Sequence, residues 1–69
     1  MKLSKKLEST LRQNVDIYTL KAISRALMCL GVQTPTIEHL RHLKDVHFMT
    51  GQNINFRAFK TYLLLMKKL

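Results

Sequence analysis

Residues able to bind a metal ion or act as a nucleophile lie mainly in the middle of the chain. His39 and His42 are three residues apart, so a helix would turn both towards a common ion. Cys29 or His47 would have to complete the site, but this spacing matches no zinc signature. Cys29 stands alone in an apolar stretch, which is typical of an inert thiol. The sequence therefore predicts no metal site and no cofactor.

Catalytic patterns are missing from the sequence. It contains no paired-carboxylate motif, no glycine-rich phosphate loop and no Ser–His–Asp arrangement. We therefore expect no catalytic residues and no small-molecule substrate, and we predict that the protein is not an enzyme.

Positive charge dominates the chain. Twelve lysines and arginines oppose four acids, which gives a formal net charge of +8. This balance favours acidic partners: nucleic acid, an anionic membrane surface or an acidic protein segment. The longest apolar run, 62–66, is far shorter than the roughly 20 residues of a membrane span. Because there is one cysteine and no signal-peptide pattern, we expect an intracellular protein, cytoplasmic or nuclear, without a membrane span.

Apolar periodicity predicts an all-α fold of four short helices in one domain, 1–69. The first helix is marked by Leu3, Leu7 and Leu11. A loop over 13–19 follows it, because the period is lost there. The second helix is capped by Asp16 or Thr19 and ended by Gly31. Its apolar stripe is Leu20, Ile23, Ala26, Leu27 and Leu30.

The second half of the chain repeats this arrangement of two helices. Thr34 caps the third helix, and Pro35 occupies its first position, where a missing N–H costs nothing. The apolar stripe of the third helix is Ile37, Leu40, Leu43 and Val46. The last helix, which follows a break around Gly51, turns inward Phe56, Phe59, Tyr62, Leu63 and Met66.

The two halves, 1–31 and 35–69, have matching apolar spacings on either side of a linker at 32–34. The positions that correspond are Tyr18, Leu20, Ile23, Ala26 and Leu27 in the first half and Ile54, Phe56, Phe59, Tyr62 and Leu63 in the second. The sequence therefore predicts two helix–loop–helix units that pack against each other.

This repeat resembles the calmodulin-like or myosin-light-chain-like EF-hand pair. The segments that carry the resemblance are GQNINFRAFKTYLLLM, similar to the end of a cation loop with its exiting helix, and ALMCLG, similar to the join between two hands. The resemblance covers one lobe and implies a two-residue β-bridge between Tyr18 and Ile54. It also places the two loops at 11–22 and 47–58.

Both loops depart from the calcium-binding pattern. The ligand places fall on Leu11, Gln13, Val15, Ile17, Thr19 and Ala22 in the first loop, and on His47, Met49, Gly51, Asn53, Asn55 and Ala58 in the second. None carries a carboxylate, whereas calcium is held by several, including a bidentate Glu. We therefore expect two degenerate hands that do not bind calcium.

The resemblance implies a light-chain-like or adaptor lobe that grips an amphipathic helix of a larger protein partner. The expected groove residues are Leu27, Met28, Leu43, Leu63 and Met66. The expected basic rim is Arg25, Arg41, Lys44, Lys60, Lys67 and Lys68. Light chains grip basic helices, which a lobe of this charge would repel, so we expect an acidic or mixed-charge partner.

A helix-turn-helix motif is the alternative interpretation, and it predicts a small nucleic-acid-binding protein or transcriptional regulator. Its buried positions would be Ala26, Leu30, Val32, Ile37 and Leu40 around Gly31. Arg41 and Lys44 would contact phosphates, and Thr36 or His39 would contact base edges. Against this motif, Leu27 is large where two crossing helices need a small residue, and the acid Glu38 lies on the reading face.

Overall fold

A computed structural model describes residues 2–49 and 55–69. These residues form the helices α1 (Lys5–Asn14), α2 (Ile17–Met28), α3 (Ile37–Leu40) and α4 (Phe56–Lys68), with a 3-10 turn at Asp45–Phe48. No strand occurs within the described ranges. The all-α prediction is confirmed, and the predicted number of helices is found in this part of the chain.

The connection between α1 and α2 consists of only Val15 and Asp16. The Asp16 side chain accepts a hydrogen bond from the Thr19 amide at 3.2 Å and so starts α2 directly. Apart from Val15 and Asp16, every position of the predicted loop at 13–19 is helical. The same holds for the wider predicted cation loop at 11–22. Tyr18 is helical as well. Ile54, its expected partner in the β-bridge, lies outside the described residues, so the bridge stays a prediction.

The segment after α2 is tied to the N-terminal segment. Gly31 has a φ of +72°, the left-handed conformation that favours glycine after a helix. Beyond it, the backbone amides of Lys2 and Ser4 donate to the carbonyls of Gln33 and Pro35, at 3.2 and 3.0 Å. The predicted linker at 32–34 is therefore hydrogen-bonded to the start of the chain.

α3 is shorter than the sequence predicts, and its cap is Thr36 rather than Thr34. Nδ1 of the His39 ring accepts a hydrogen bond from the Thr36 amide at 3.0 Å. Pro35 lies buried just before the cap. The helix ends after one turn, because the chain then bends towards the 3-10 turn. A similar bond, from the Lys44 amide to His47 Nδ1 at 2.9 Å, starts that turn.

The core is assembled from all of these elements. Its buried members are Leu7, Leu11, Ala22, Ile23, Ala26, Leu27, Leu40, Leu43, Phe48, Ala58, Tyr62 and Leu65. An aromatic group joins the 3-10 turn to α4: Phe48 lies 5.4 Å from Phe59 and 5.4 Å from Tyr62 between ring centroids. Aromatic pairs at this separation add to the stabilisation from burial itself.

The inward face of α4 differs from the predicted one. Tyr62 is buried as expected, but its buried neighbours are Ala58 and Leu65. Phe59 and Met66 are half-buried, whereas Phe56 and Leu63 are exposed. Val46, the last residue of the predicted third stripe, is also exposed, because the regular helical period stops at Leu40, where α3 ends. These shifts leave three large apolar side chains at the surface.

Tyr62 connects α4 to the end of α3 through its hydroxyl. The hydroxyl lies 2.6 Å from the Leu40 carbonyl oxygen, to which it donates, and 3.3 Å from that of Leu43. Leu40 is the last residue of α3, and its carbonyl also accepts a longer bond, 3.4 Å, from the Leu43 amide; Leu43 lies three residues beyond the helix. Carbonyls at a helix C-terminus lack the regular intrahelical donors, and the Tyr62 hydroxyl supplies one here. Burial raises the pKa of the Tyr62 hydroxyl, because an anionic phenolate would be poorly solvated there.

We expect Tyr62→Phe to lower the free energy of unfolding by about 1–3 kcal/mol, because the buried carbonyls of Leu40 and Leu43 lose this hydroxyl and Leu40 keeps only the longer bond from the Leu43 amide. Urea unfolding measures this change. Tyr18→Phe, at a side chain that is 78% exposed, is the matched control and should change it little. Equal stabilities for Tyr62→Phe and the wild type would contradict the structural role of this hydroxyl.

The same hydroxyl should make the protein sensitive to alkali. A raised folded-state pKa contributes stability that is fully present below the unfolded value of 10.0 and is lost as pH rises through the folded value. Urea midpoints should therefore fall above about pH 10 in the wild type, and fall less in Tyr62→Phe. Parallel losses in the two proteins would show that Tyr62 is not responsible.

Candidate interaction face

The N-terminal ends of α2 and α4 meet at a shallow cleft. Its lining residues are Asp16, Tyr18, Thr19, Asn55, Arg57 and Ala58. Both helices begin in the same way. The Asn55 side chain accepts a hydrogen bond from the Ala58 amide at 3.1 Å, just as the Asp16 side chain accepts one from the Thr19 amide. The small buried residues Thr19 and Ala58 allow the two helix ends to approach closely.

These matching caps revise the register of the sequence repeat. When Asp16 is set against Asn55, Tyr18 corresponds to Arg57, whereas the apolar spacings paired Tyr18 with Ile54. The two registers differ by about three residues, nearly one turn of helix. Because an apolar stripe almost repeats after one turn, periodicity alone does not separate them. The side-chain caps do separate them.

The Asp16 carboxylate at the cleft is hydrogen-bonded to the Thr19 amide. Hydrogen bonding to Thr19 holds the pKa of Asp16 below its ordinary value of 3.8, and the nearby Arg57 guanidinium adds a smaller effect in the same direction. Asp16 therefore acts as a negatively charged helix cap, and the positive end of α2 favours that charge.

Exposed side chains extend from the cleft along both helices. We define the cleft face as Tyr18, Lys21, Arg25 and Met28 of α2 with Arg57, Leu64 and Lys68 of α4. Tyr18 is 78% exposed, the highest value among the large apolar side chains described. It lies beside Arg57 at the cleft, with Lys21 one turn further along its own helix.

The cleft face is uniformly positive apart from the engaged Asp16. Neither α2 nor α4 contains an acidic residue between its first and last positions. Glu8 is paired with Arg12 on α1, at 3.0 Å. Glu38 and Asp45 lie on α3 and the 3-10 turn. The cations of α2 and α4 are therefore free of acidic neighbours on their own helices.

The structure does not bring the predicted groove residues together on one surface. Leu27 and Leu43 are core residues, at 0% and 7% exposure, so they are unavailable to a partner. Met28 and Leu63 are exposed, and Met66 is half-buried. The reason is that Leu27 belongs to the inner side of α2 with Ile23, while Met28 begins its outer side.

The predicted rim divides among three regions. Arg25 and Lys68 belong to the cleft face, and Lys60 and Lys67 lie on the outer side of α4. Arg41 and Lys44 lie on the segment between α3 and the 3-10 turn. Sequence reasoning did not assign Tyr18 or Arg57 to a binding surface, although each follows an Asp or Asn cap by two positions, a signal present in the sequence.

In 29–49, the described backbone that follows α2, there is no long second helix of the kind that a helix-turn-helix motif needs. Residues 29–36 separate α2 from α3, and α3 contains only four residues. A recognition helix of one turn cannot extend along a major groove while presenting several side chains to base edges. The proposed phosphate contacts Arg41 and Lys44 consequently lie outside any helix.

No protein-family model, curated protein or solved structure matches the chain. Within residues 2–49 and 55–69, no three His, Cys, Asp or Glu side chains are placed to hold a metal ion together. Over the same residues, no helix has the length and apolar character needed to cross a membrane.

The Asp16 cap predicts a response to acid. A lowered folded-state pKa contributes stability that is present above 3.8 and is lost as pH falls through the folded value. Asp16→Asn retains a good cap without the charge, so its urea midpoint should fall less between about pH 5 and pH 2. Glu38→Gln is the control, because it removes a carboxylate that caps no helix. Equal acid responses in Asp16→Asn and the wild type would contradict this role.

Proposed function

We propose that this protein is a non-enzymatic, calcium-independent interaction module that binds an acidic or mixed-charge amphipathic helix of a larger partner. The cleft face is the proposed binding surface. The observation that carries the proposal is the position of Tyr18, exposed at the mouth of the cleft and flanked by cations from both helices. Tyrosine and arginine are the residue types that most often dominate binding energy at interfaces.

The remaining members of the cleft face suit a helical partner. Met28 and Leu64 are each 60% exposed and lie further from the cleft, among cationic residues. An amphipathic helix presents apolar anchors at three- and four-residue intervals, with polar residues between them. Acidic residues beside the anchors would meet Lys21, Arg25 and Arg57. The apolar contacts would supply affinity, and the charges would speed association and select the partner.

The proposal keeps the adaptor role that the EF-hand resemblance implies, and it does not depend on cation loops. The first predicted loop is helical except at Val15 and Asp16, and the middle of the second, 50–54, lies outside the described residues. The surface for the partner is instead built from the outer sides of α2 and α4.

Single-stranded nucleic acid is the second candidate. An exposed tyrosine among cations can stack on a base while the cations meet phosphates, which supports this candidate. The exposed Met28 and Leu64 favour the protein partner, because neither side chain has a role against a phosphate backbone. Salt dependence and site-directed variants separate the two.

Charge reversal at the cleft should abolish most of the binding to an acidic helix. The probe is a synthetic helical peptide with leucines at positions i, i+3, i+4 and i+7 and glutamates elsewhere. Lys21→Glu/Arg57→Glu should weaken its binding by at least about tenfold, or 1.4 kcal/mol, in fluorescence anisotropy. The matched control, Arg41→Glu/Lys44→Glu, makes the same change in net charge away from the cleft and should weaken binding much less.

The apolar anchor is tested with the same peptide. Tyr18→Ala should weaken binding by roughly tenfold, and Val46→Ala, at a side chain 60% exposed on the 3-10 turn, should not. DNA and RNA oligonucleotides should dissociate between about 50 and 200 mM salt, as non-specific phosphate contacts do. Equal losses in control and cleft variants, or an oligonucleotide complex that persists at 200 mM salt and requires Tyr18, would overturn the protein-binding proposal.

Millimolar calcium should leave the amide NMR spectrum unchanged. Neither predicted loop offers a carboxylate at a ligand place, and a hard dication is not held without charged oxygens. Magnesium at the same concentration controls for ionic strength. Saturable shifts confined to residues 47–58 under calcium alone would show that the second loop is a functional cation site.

A further inference from the structure

α4 carries a second exposed surface that the proposed function does not use. We define the α4 crest as Phe56, Lys60, Leu63 and Lys67, which recur at intervals of three and four residues and therefore share one side of the helix. The buried residues Ala58, Tyr62 and Leu65 lie on the opposite side. The crest is thus the part of α4 that projects furthest from the core.

The chemistry of the crest alternates between apolar and cationic groups. Phe56 is 56% exposed and Leu63 is 45% exposed, and Lys60 and Lys67 alternate with them along the helix. α4 contains no acidic residue. A surface with this composition binds favourably to a partner that offers both apolar and anionic groups.

The shape of the crest separates it from the cleft face. A partner helix packs its ridges into grooves between side-chain rows. The crest is instead a convex ridge on one 13-residue helix. A second copy of the same surface would place Lys60 and Lys67 against cations, which is unfavourable. The occupant must therefore accept a ridge and supply negative charge.

We propose that the α4 crest docks the protein on an anionic lipid bilayer, with α4 lying in the plane of the interface. Phe56 and Leu63 would insert between the headgroups, to the depth of about 5–10 Å that interfacial helices reach. Lys60 and Lys67 would extend their apolar stems along the same boundary and place their ammonium groups at lipid phosphates and carboxylates. This inference uses different residues from the cleft face and does not depend on it.

Co-sedimentation with lipid vesicles tests the proposal. The full chain should sediment with vesicles of phosphatidylcholine containing about 30% phosphatidylserine, a composition on which basic and apolar contacts act together, and much less with pure phosphatidylcholine. Phe56→Ser/Leu63→Ser should lower the partition coefficient about tenfold on the anionic vesicles. Tyr18→Ser/Leu64→Ser, the matched apolar control on the cleft face, should change it less than about twofold.

A charge-matched pair completes the experiment. Lys60→Gln/Lys67→Gln should reduce vesicle binding more than Lys21→Gln/Lys44→Gln, although both remove the same net charge. Circular dichroism establishes that each variant remains folded. Equal losses in both pairs would show non-specific attraction and overturn the proposal, as would an absence of sedimentation with anionic vesicles. If crest variants lose the acidic peptide and keep the vesicles, the crest is a protein-binding surface instead.

Discussion

The hydrogen bond from Tyr62 to the Leu40 carbonyl is the constraint on which the rest of the structure depends. It is the closest long-range side-chain contact recorded in the described part of the chain, at 2.6 Å, and it fixes α4 against the end of α3. With Tyr62 held there, α4 must bury Ala58 and Leu65 and must expose Phe56 and Leu63. The Tyr62 hydroxyl thus helps to set which residues of α4 remain exposed at the cleft and on the crest.

α4 contributes both to the core and to the two surfaces proposed to bind partners. Its inner side completes the core, and its outer surface carries no acid. Where α4 begins beside α2, the exposed residues come from two helices and suit a shaped partner. Along the crest, the exposed residues come from a single helix and suit a flat, deformable partner. The net charge of +8 favours an acidic partner in both proposals.

Sequence reasoning predicts the helices of this protein well and their termini less well. α2 and α4 follow from apolar periodicity, because one stripe of each must be buried. The length of α3 does not follow, because its end is set by Tyr62, a residue distant in sequence, and by the bend that places two carbonyls at its hydroxyl. For the same reason Leu43 appears suited to a groove but lies in the core, and the cleft between Tyr18 and Arg57 is visible only when the caps Asp16 and Asn55 are aligned.

The bonds that His39 and His47 accept from backbone amides also fix the chemistry of their rings. A ring nitrogen that accepts an N–H bond holds no proton, so in each neutral imidazole the proton belongs to Nε2. This tautomer leaves each ring only a donor for further contacts. Either ring would have to exchange its tautomer, and release a backbone amide, before Nε2 became a lone-pair ligand. The chain thus uses these two imidazoles, each three residues after its cap, in place of the Glu or Gln that usually accepts this bond in a capping box.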